Sequence, residues 1–142
     1  METQELHRGR LIDHIQLVVR DLPAAQRFYT AIFKILNIPI GGTGDDYFWA
    51  DELFVSTRDS KAAQGALTGR HHLAFQAQDP RMVDSFYKAA MANGGKDNGA
   101  PGERPYHPGY YAAFVLDPDG NNIEAVYHGE GKRSAASVQI TF

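Results

Sequence analysis

Apolar and polar residues alternate in two segments of the chain, "DHIQLVVRD" (13–21) and "HHLAFQAQD" (71–79). Because successive side chains on a strand point to opposite faces, each segment predicts a strand with one apolar face. Those faces are Ile15, Leu17 and Val19 in the first copy and Leu73, Phe75 and Ala77 in the second. Each segment ends at an Asp with a Pro within two residues, which predicts the start of a helix. The chain therefore contains a strand–helix unit twice.

This repeat extends into the helices and beyond them. A shift of 58 positions places His14 on His72, Asp21 on Asp79, Phe28 on Phe86 and Tyr29 on Tyr87. Further strands are predicted at 38–40, 47–50 and 52–57 in the first copy, and at 110–116 and 122–128 around the hairpin signal "DPDGN" in the second. The Gly/Pro-rich loop 93–109 holds at most one weak strand.

The predicted organisation is one domain over residues 1–142 built from two βαβββ modules. Module 1 spans about residues 11–58 and module 2 about 70–128, with a linker near 60–69 and a last strand at about 137–142. The fold class is α+β, with a mixed sheet and helices against its apolar face.

Composition narrows the possible functions. The net charge of −3, with Lys and Arg scattered, gives no electrostatic footprint for nucleic acid. The absence of cysteine excludes disulfides, thiolate metal sites and a Cys nucleophile. The N-terminal segment lacks a signal-peptide pattern, and no apolar run approaches the ~20 residues that span a bilayer. We expect a cytoplasmic protein without a membrane or nucleic-acid partner.

Three polar residues lie on strand faces opposite the helices. His14 and His72 occupy equivalent positions in the two copies, and Glu124 lies in mid-strand between Ile123 and Ala125. A buried carboxylate is costly unless it is paired or binds a metal, and two imidazoles with a carboxylate suit zinc, manganese, iron(II) or nickel. Strand histidines are more often structural than ligands, and a strand glutamate can simply face water, so both interpretations stay open here. His71 has the opposite parity and is expected on the helix-covered side.

The segments "IDHIQLVVRDLPAAQRFY", "HHLAFQAQD…FYKAAMANGG" and "YYAAFVLDPDGNNIEAVYH" resemble the vicinal oxygen chelate superfamily. That superfamily includes glyoxalase I, fosfomycin-resistance thiol transferases, extradiol dioxygenases and bleomycin-resistance proteins. The resemblance covers about residues 11–128. It implies two βαβββ modules whose sheets curve into one cup, with a divalent metal held by His14, His72 and Glu124.

One position departs from glyoxalase I, which adds a fourth ligand, a Glu, on the last strand of the first module. Matching "LFVST" to that strand places Phe54 at this position, and using Glu52 requires a register slip. A three-ligand site fits better and resembles the fosfomycin-resistance and dioxygenase branches. Glu124 then has to act as both ligand and base, so we expect little turnover of the methylglyoxal–glutathione adduct.

The remaining predicted site residues concern the substrate. Gln16 and Gln76 are expected to orient substrate or metal-bound water, Arg104 to receive an anionic group, and Tyr110 to close over the cup with Tyr111 and His107. Trp49 and Phe54 line the cup or the core. For the loop residues, turn formation is the competing interpretation. His128, about 13 Å along the strand from Glu124, is not expected to be a ligand.

Three functions remain open. The first is a metal-dependent lyase, isomerase, transferase or oxygenase that acts on a small substrate with vicinal oxygens. The second is a metal-free small-molecule binding or resistance protein of the bleomycin-binding type. The third is a structural or regulatory dimer with a vestigial triad. In each case we expect a homodimer, in which His14 can come from one chain and His72 with Glu124 from the other.

Overall fold

The computed structural model of the chain describes residues 5–8, 12–63, 65–131 and 136–141. It contains two helices, two mixed sheets and a two-stranded ribbon, which confirms the α+β class. The chain divides into two compact units. Unit 1 comprises Met1–Gln26, Ile38–Gly69 and Arg133–Phe142, and unit 2 comprises Arg27–Asn37 and Arg70–Lys132.

Unit 1 is built around a four-stranded sheet. In chain order its elements are β1 (Glu5–Arg8), β2 (Ile15–Val19), the first turns of α1 (Leu22–Ile35), β3 (Gly42–Thr43), β4 (Tyr47–Ala50), β5 (Leu53–Thr57) and a 3₁₀ turn (Lys61–Ala63). The strand order is β2-β5-β4-β3, with β2 parallel to β5 and the other pairs antiparallel. The first repeat is therefore a βαβββ unit, as predicted.

The strand predicted at 38–40 is wrong. The third element of this repeat is β3, which begins after Gly41 and pairs with β4. Pro39 lacks the N–H that a sheet ladder needs, and Asn37 has a φ of 60°, typical of the end of a helix. The chain therefore pairs only after it has passed the proline.

Helix α1 starts where the Asp-x-Pro pattern predicts, and it is divided between the two units. The Asp21 carboxylate accepts the N–H of Ala24 at 3.1 Å, which caps the helix. Residues from Arg27 onward belong to unit 2. There the ring of Phe33 meets that of Phe75 edge to face at 5.2 Å, so the helix of the first repeat covers part of the apolar face of the second repeat's first strand.

Unit 2 repeats the same strand order. Its elements are β6 (His72–Gln76), α2 (Pro80–Ala92), β7 (Lys96–Asp97), β8 (Gly102–Glu103), β9 (Tyr111–Leu116) and β10 (Asn122–Tyr127). The order is β6-β10-β9, with β6 parallel to β10, and both β7 and β8 pair with β9. The loop 93–109 thus holds two short strands instead of one. Asp79 caps α2 by accepting the N–H of Met82 at 2.8 Å, as predicted.

The predicted C-terminal strand is present as β11 (Val138–Thr141), which pairs antiparallel with β1 within unit 1. Strand β1 was not predicted because its sequence, "ELHR", shows no apolar alternation. In the part of the chain that the structure describes, neither helix is long and apolar enough to cross a membrane.

Candidate functional site

Strands β6 and β10 bring His72 and Glu124 together. In their parallel register His72 lies opposite Asn122, and Glu124 lies opposite Ala74, so the two side chains share one face of the sheet. The distance from His72 Nε2 to Glu124 Oε1 is 3.0 Å. The Glu124 side chain is 3% exposed, whereas that of His72 is 50% exposed. The site therefore consists of a buried carboxylate with an imidazole at its open side.

The "DPDGN" turn fixes this pairing. The buried Asp117 carboxylate accepts four hydrogen bonds, from the Tyr29 hydroxyl (2.5 Å), the backbone N–H groups of Asp119 (2.9 Å) and Asn121 (2.8 Å), and the Asn121 side-chain amide (2.8 Å). The side-chain oxygen of Asn121 accepts the N–H of His71 at 2.9 Å. This network joins the start of β10 to the residue before β6, so it sets the position of His72 beside Glu124.

The His72 ring is oriented by the backbone. Its Nδ1 lies 3.0 Å from the carbonyl oxygen of Asn122, and a carbonyl can only accept, so Nδ1 carries the proton. The ring also lies nearly parallel to that of Phe114, with centres 6.0 Å apart. In neutral His72 the lone pair is therefore on Nε2, which faces the carboxylate. Two acceptor atoms at 3.0 Å require a proton or a cation between them.

The second oxygen of Glu124 is bound by Tyr110, whose hydroxyl donates to Oε2. Burial, this hydrogen bond and the negative charge of Glu124 raise the pKa of Tyr110 to about 12, opposed by the positive charge of Arg104. The phenol therefore keeps its proton near neutral pH and acts as a donor. Tyr110 was predicted to bind the substrate, and that role stays a prediction; in the structure its hydroxyl is bonded to the Glu124 carboxylate.

Arg104 lies beside the ring of Phe114 and is bonded to the backbone of its own loop. Its guanidinium is 5.4 Å from the centre of the Phe114 ring and donates to the backbone oxygens of Ala100 (2.7 Å) and Glu103 (3.3 Å). A Cβ on Gly102 would lie 3.1 Å from this guanidinium, so the glycine leaves room for it. The geometry gives Arg104 a structural role in its loop and places a fixed positive charge near the site.

The remaining predicted residues belong to unit 1, with the exception of Gln76. Gln76 is exposed at the end of β6 and lies on the same face of the strand as His72. His14 precedes β2 and is exposed, with its Nδ1 2.6 Å from the Asp13 carboxylate. Gln16 donates to the Ser56 hydroxyl at 2.9 Å. Trp49 packs over Gly41, where an added Cβ would meet its ring at 2.3 Å.

Comparison with proteins of similar sequence and fold identifies the family. The model of the Glyoxalase/Bleomycin resistance protein/Dioxygenase superfamily matches residues 11–125. The chain belongs to this superfamily. A glyoxalase/bleomycin resistance protein from Albidiferax ferrireducens T118 is 30% identical, with 82% of this chain and 97% of that one covered and a TM-score of 0.66.

More distant structures share the fold of this glyoxalase-superfamily chain. A glyoxalase-related enzyme from Fulvimarina pelagi is 21% identical over 94% of this chain and 99% of its own, with a TM-score of 0.70. A lactoylglutathione lyase from Agrobacterium tumefaciens is 20% identical over 83% and 93%, with a TM-score of 0.60. A search of curated protein sequences gave no match.

The internal repeat of this glyoxalase-superfamily member tests the assignment of Phe54. In unit 2 the residue opposite Glu124 is Ala74, two positions after His72. In unit 1 the residue opposite Phe54 is Gln16, two positions after His14. Phe54 therefore occupies the position in unit 1 that Glu124 occupies in unit 2. Its ring stacks on that of Tyr47, with centres 5.4 Å apart and planes 9° apart.

The donor atoms of unit 2 fit part of a metal site. In octahedral coordination, metal bonds of about 2.0–2.2 Å at a right angle place two donors about 2.8–3.1 Å apart, which matches the 3.0 Å between His72 Nε2 and Glu124 Oε1. Both residues have supporting hydrogen bonds of the kind that orients metal-binding side chains, His72 to Asn122 and Glu124 from Tyr110. Among the described residues, no three His, Asp or Glu side chains form a group that could hold one ion. The set of three ligands stays a prediction.

Two further features were not predicted from the sequence. His71 was expected as an edge histidine on the helix-covered side; it lies one residue before β6 and is exposed, and its backbone bonds to Asn121 and Asn122. The second feature is a contact between the rings of His107 and His128, about which no prediction was made. A signal for this contact existed: His128 has the same parity as Glu124, so it projects from the same face of the chain.

Proposed function

We propose that this protein is a metal-dependent enzyme of its superfamily that acts on a small substrate with vicinal oxygens. His72, Glu124 and His14 would hold a divalent ion: zinc, manganese, nickel or iron(II). The observation that carries the proposal is the pair of facing acceptors in unit 2. A buried carboxylate oxygen lies 3.0 Å from an imidazole nitrogen whose other nitrogen is committed to a backbone carbonyl.

The bound ion would act as a Lewis acid that stabilises negative charge developing on substrate oxygen. The chain's own residues prepare the site for this. Tyr110 holds Glu124 in one rotamer, and Asn122 holds His72 in the tautomer that presents Nε2. The fixed charge of Arg104 favours a substrate with an anionic group, because opposite charges attract strongly at a partly buried site.

The remaining substrate contacts are proposed from residue type and position. Gln16 and Gln76 would orient the substrate by hydrogen bonds, and Trp49 with Phe54 would form an apolar wall. Gln16 is supported by its bond to Ser56, which leaves its amide oxygen available as an acceptor. Gln76 is supported by its exposure on the His72 face of β6.

The reaction class follows from Phe54. The register equivalence puts a phenyl ring where a second carboxylate would stand, so that position offers no base for a carbon-bound proton. A carboxylate bound to a cation is a weaker base than a free one, because the positive charge favours its ionised form. We therefore propose an addition, isomerisation or oxygenation of another vicinal-oxygen substrate, in preference to glyoxalase I chemistry.

A metal-free small-molecule binding protein of the bleomycin-binding type is the second candidate. One observation favours it: both oxygens of Glu124 have protein partners, His72 and Tyr110. With His72 protonated, the carboxylate is satisfied without a metal.

The two candidates are distinguished by metal content. The protein, purified without a tag and without chelators, is analysed for bound metals beside His72→Gln, Glu124→Gln and His14→Gln variants. The first proposal expects a divalent metal in the parent protein and a sharp loss in each variant. His71→Gln is the matched control, because it removes a neighbouring exposed imidazole that has no place in the proposed set. Metal absent from the parent protein even after reconstitution, or retained fully in all three variants, refutes metal dependence.

We also propose that the protein is a cytoplasmic homodimer. Sharing His14 between chains would allow each site to be completed by the partner. Mixing His14→Gln chains with Glu124→Gln chains would then restore metal binding in the mixed dimers, whereas a site built within one chain gives no restoration.

A further inference from the structure

A second pair of metal-ligating side chains lies at the opposite end of β10 from the turn. His107 Nε2 and His128 Nδ1 are 2.9 Å apart, and both side chains are exposed. The ring centres are 5.1 Å apart and the planes differ by 19°. Because the facing nitrogens are much closer than the ring centres, the rings meet end to end, with His107 Nε2 facing His128 Nδ1.

The positions of the protons in this pair can be assigned. His107 Nδ1 lies 2.9 Å from the carbonyl oxygen of Pro108, so it carries a proton and donates it. Neutral His107 therefore has its lone pair on Nε2. The contact with His128 then requires the proton of His128 Nδ1, and the pair shares one proton between two basic nitrogens.

The backbone brings the two histidines together. Gly109 and Gly129 both have positive φ values, 88° and 89°, and a Cβ added to Gly109 would lie 3.2 Å from the Cα of Gly129. Only glycines allow the two loops to approach this closely. The Tyr110 ring meets both imidazoles edge to face, with centres 5.3 Å from His107 and 5.1 Å from His128. The two rings are thus held close together by the fold.

We propose that His107 and His128 form a second cation site, which takes a divalent transition metal such as Ni²⁺ or Cu²⁺ on His107 Nε2 and His128 Nδ1, with the His128 proton moving from Nδ1 to Nε2. Metal–nitrogen bonds of about 2.0–2.1 Å at a right angle place two nitrogens about 2.8–3.0 Å apart, as observed here. The exposed rings can turn so that both lone pairs converge on the ion.

The chemistry of the pair selects the kind of ion. Imidazole nitrogens suit copper, nickel and zinc, whereas magnesium and calcium prefer oxygen ligands. The hydrogen bond from His107 Nδ1 to a backbone carbonyl is the contact that usually orients a metal-binding histidine. His128 is four residues from Glu124, about 13 Å along the strand, so one ion cannot bridge the two pairs. The site is independent of the proposed function.

Calorimetric titration with Ni²⁺ tests this site, using tag-free Glu124→Gln protein so that the proposed catalytic site is already disabled. We expect saturable Ni²⁺ binding that is lost when either His107→Gln or His128→Gln is added. His71→Gln in the same background is the matched control, because it removes another exposed imidazole outside the pair. Far-UV circular dichroism of each variant checks that the fold is retained.

The proposal is overturned if Glu124→Gln protein shows no saturable Ni²⁺ binding, if binding survives the loss of His107 and His128, or if His71→Gln abolishes it equally. Binding that depends on the pair supports the site even where the parent protein proves to hold no metal at His72 and Glu124. The two proposals can therefore fail separately.

Discussion

Replacing Tyr110 by Phe removes one hydroxyl and retains the ring. That hydroxyl donates to Glu124 Oε2, while Oε1 lies 3.0 Å from His72. Glu124 is 2% exposed as a residue, so it depends on protein partners for the bonds it would make in water. The substitution leaves the ring contacts with His107 and His128 in place, and it tests the hydroxyl alone.

The expected size follows from the charge and burial of the acceptor. A hydrogen bond to a charged group contributes about 1.5–3 kcal/mol, and because Tyr110 is half-buried, water can partly replace it, which reduces the loss to about 1–2 kcal/mol. For a chain of this length the melting temperature should fall by about 2–8 °C. In metal-loaded protein, loss of such a supporting contact should weaken metal binding about 10–100-fold.

The same hydroxyl makes a pH-dependent contribution. The pKa of Tyr110 is raised to about 12, above the value of about 10 in an unfolded chain. The folded state therefore holds this proton more tightly, so the associated stability is fully present below about pH 10 and is lost as pH rises toward 12. Tyr110→Phe should lack this part of the alkaline decline.

Thermal denaturation followed by circular dichroism, at neutral pH and in steps up to pH 11, measures both effects. Tyr106→Phe is the control, because Tyr106 is 67% exposed and its ring only packs edge to face on Tyr110. A change for Tyr110→Phe within the roughly 0.5 kcal/mol typical of surface substitutions, or equal to that of Tyr106→Phe, would refute the positioning role.

Three other predictions concern the stability of the turn network, the reaction class and the oligomeric state. Tyr29→Phe should destabilise the fold by about 2–3 kcal/mol in urea denaturation, because it removes a buried hydrogen bond to the Asp117 carboxylate; a loss below about 1 kcal/mol contradicts the proposed turn network. The metal-loaded protein should show no turnover of the methylglyoxal–glutathione adduct, and Phe54→Glu should gain some; a parent kcat of about 1–10³ s⁻¹ would show that Phe54 does not exclude this chemistry. Light scattering at micromolar concentration should give a dimer mass, and a monomer mass counts against the shared site.

Much of the fold could be read from local pattern. The alternation in the segments that become β2 and β6, together with the apolar runs on either side of "DPDGN" that become β9 and β10, predicts these strands, and the Asp–Pro signals predict both helix starts. The errors fall where local pattern carries no information. The segment 38–40 has residue types typical of strands, but its proline cannot donate a ladder hydrogen bond. The segment "ELHR" becomes a strand only because it pairs with β11, which is distant in the sequence.

The part of the candidate site that could be predicted is the part that follows from the alternation of side chains along a strand, called parity here. Parity places His72 and Glu124 on one face, and the register turns this into a contact. Parity cannot show which atoms hold these side chains. The Asn122 carbonyl that fixes His72 belongs to the backbone, and the Tyr110 hydroxyl reaches Glu124 from a loop whose path depends on Gly109 and its neighbours.

The two repeats together explain why this chain carries one carboxylate and not two. Each repeat pairs its first and last strands in parallel, and each places its last-strand residue opposite the position two after the histidine. In unit 2 that residue is Glu124, supported by Tyr110 and His72. In unit 1 it is Phe54, stacked on Tyr47, beside a Gln16 whose amide bonds to Ser56. A carboxylate at position 54 would lose the stacking contact with Tyr47, whereas a phenyl ring at position 124 would remove the acceptor of the Tyr110 hydroxyl and the partner of His72. The duplicated scaffold thus places different groups at equivalent positions in its halves: unit 2 has a buried carboxylate there, and unit 1 has a phenyl ring.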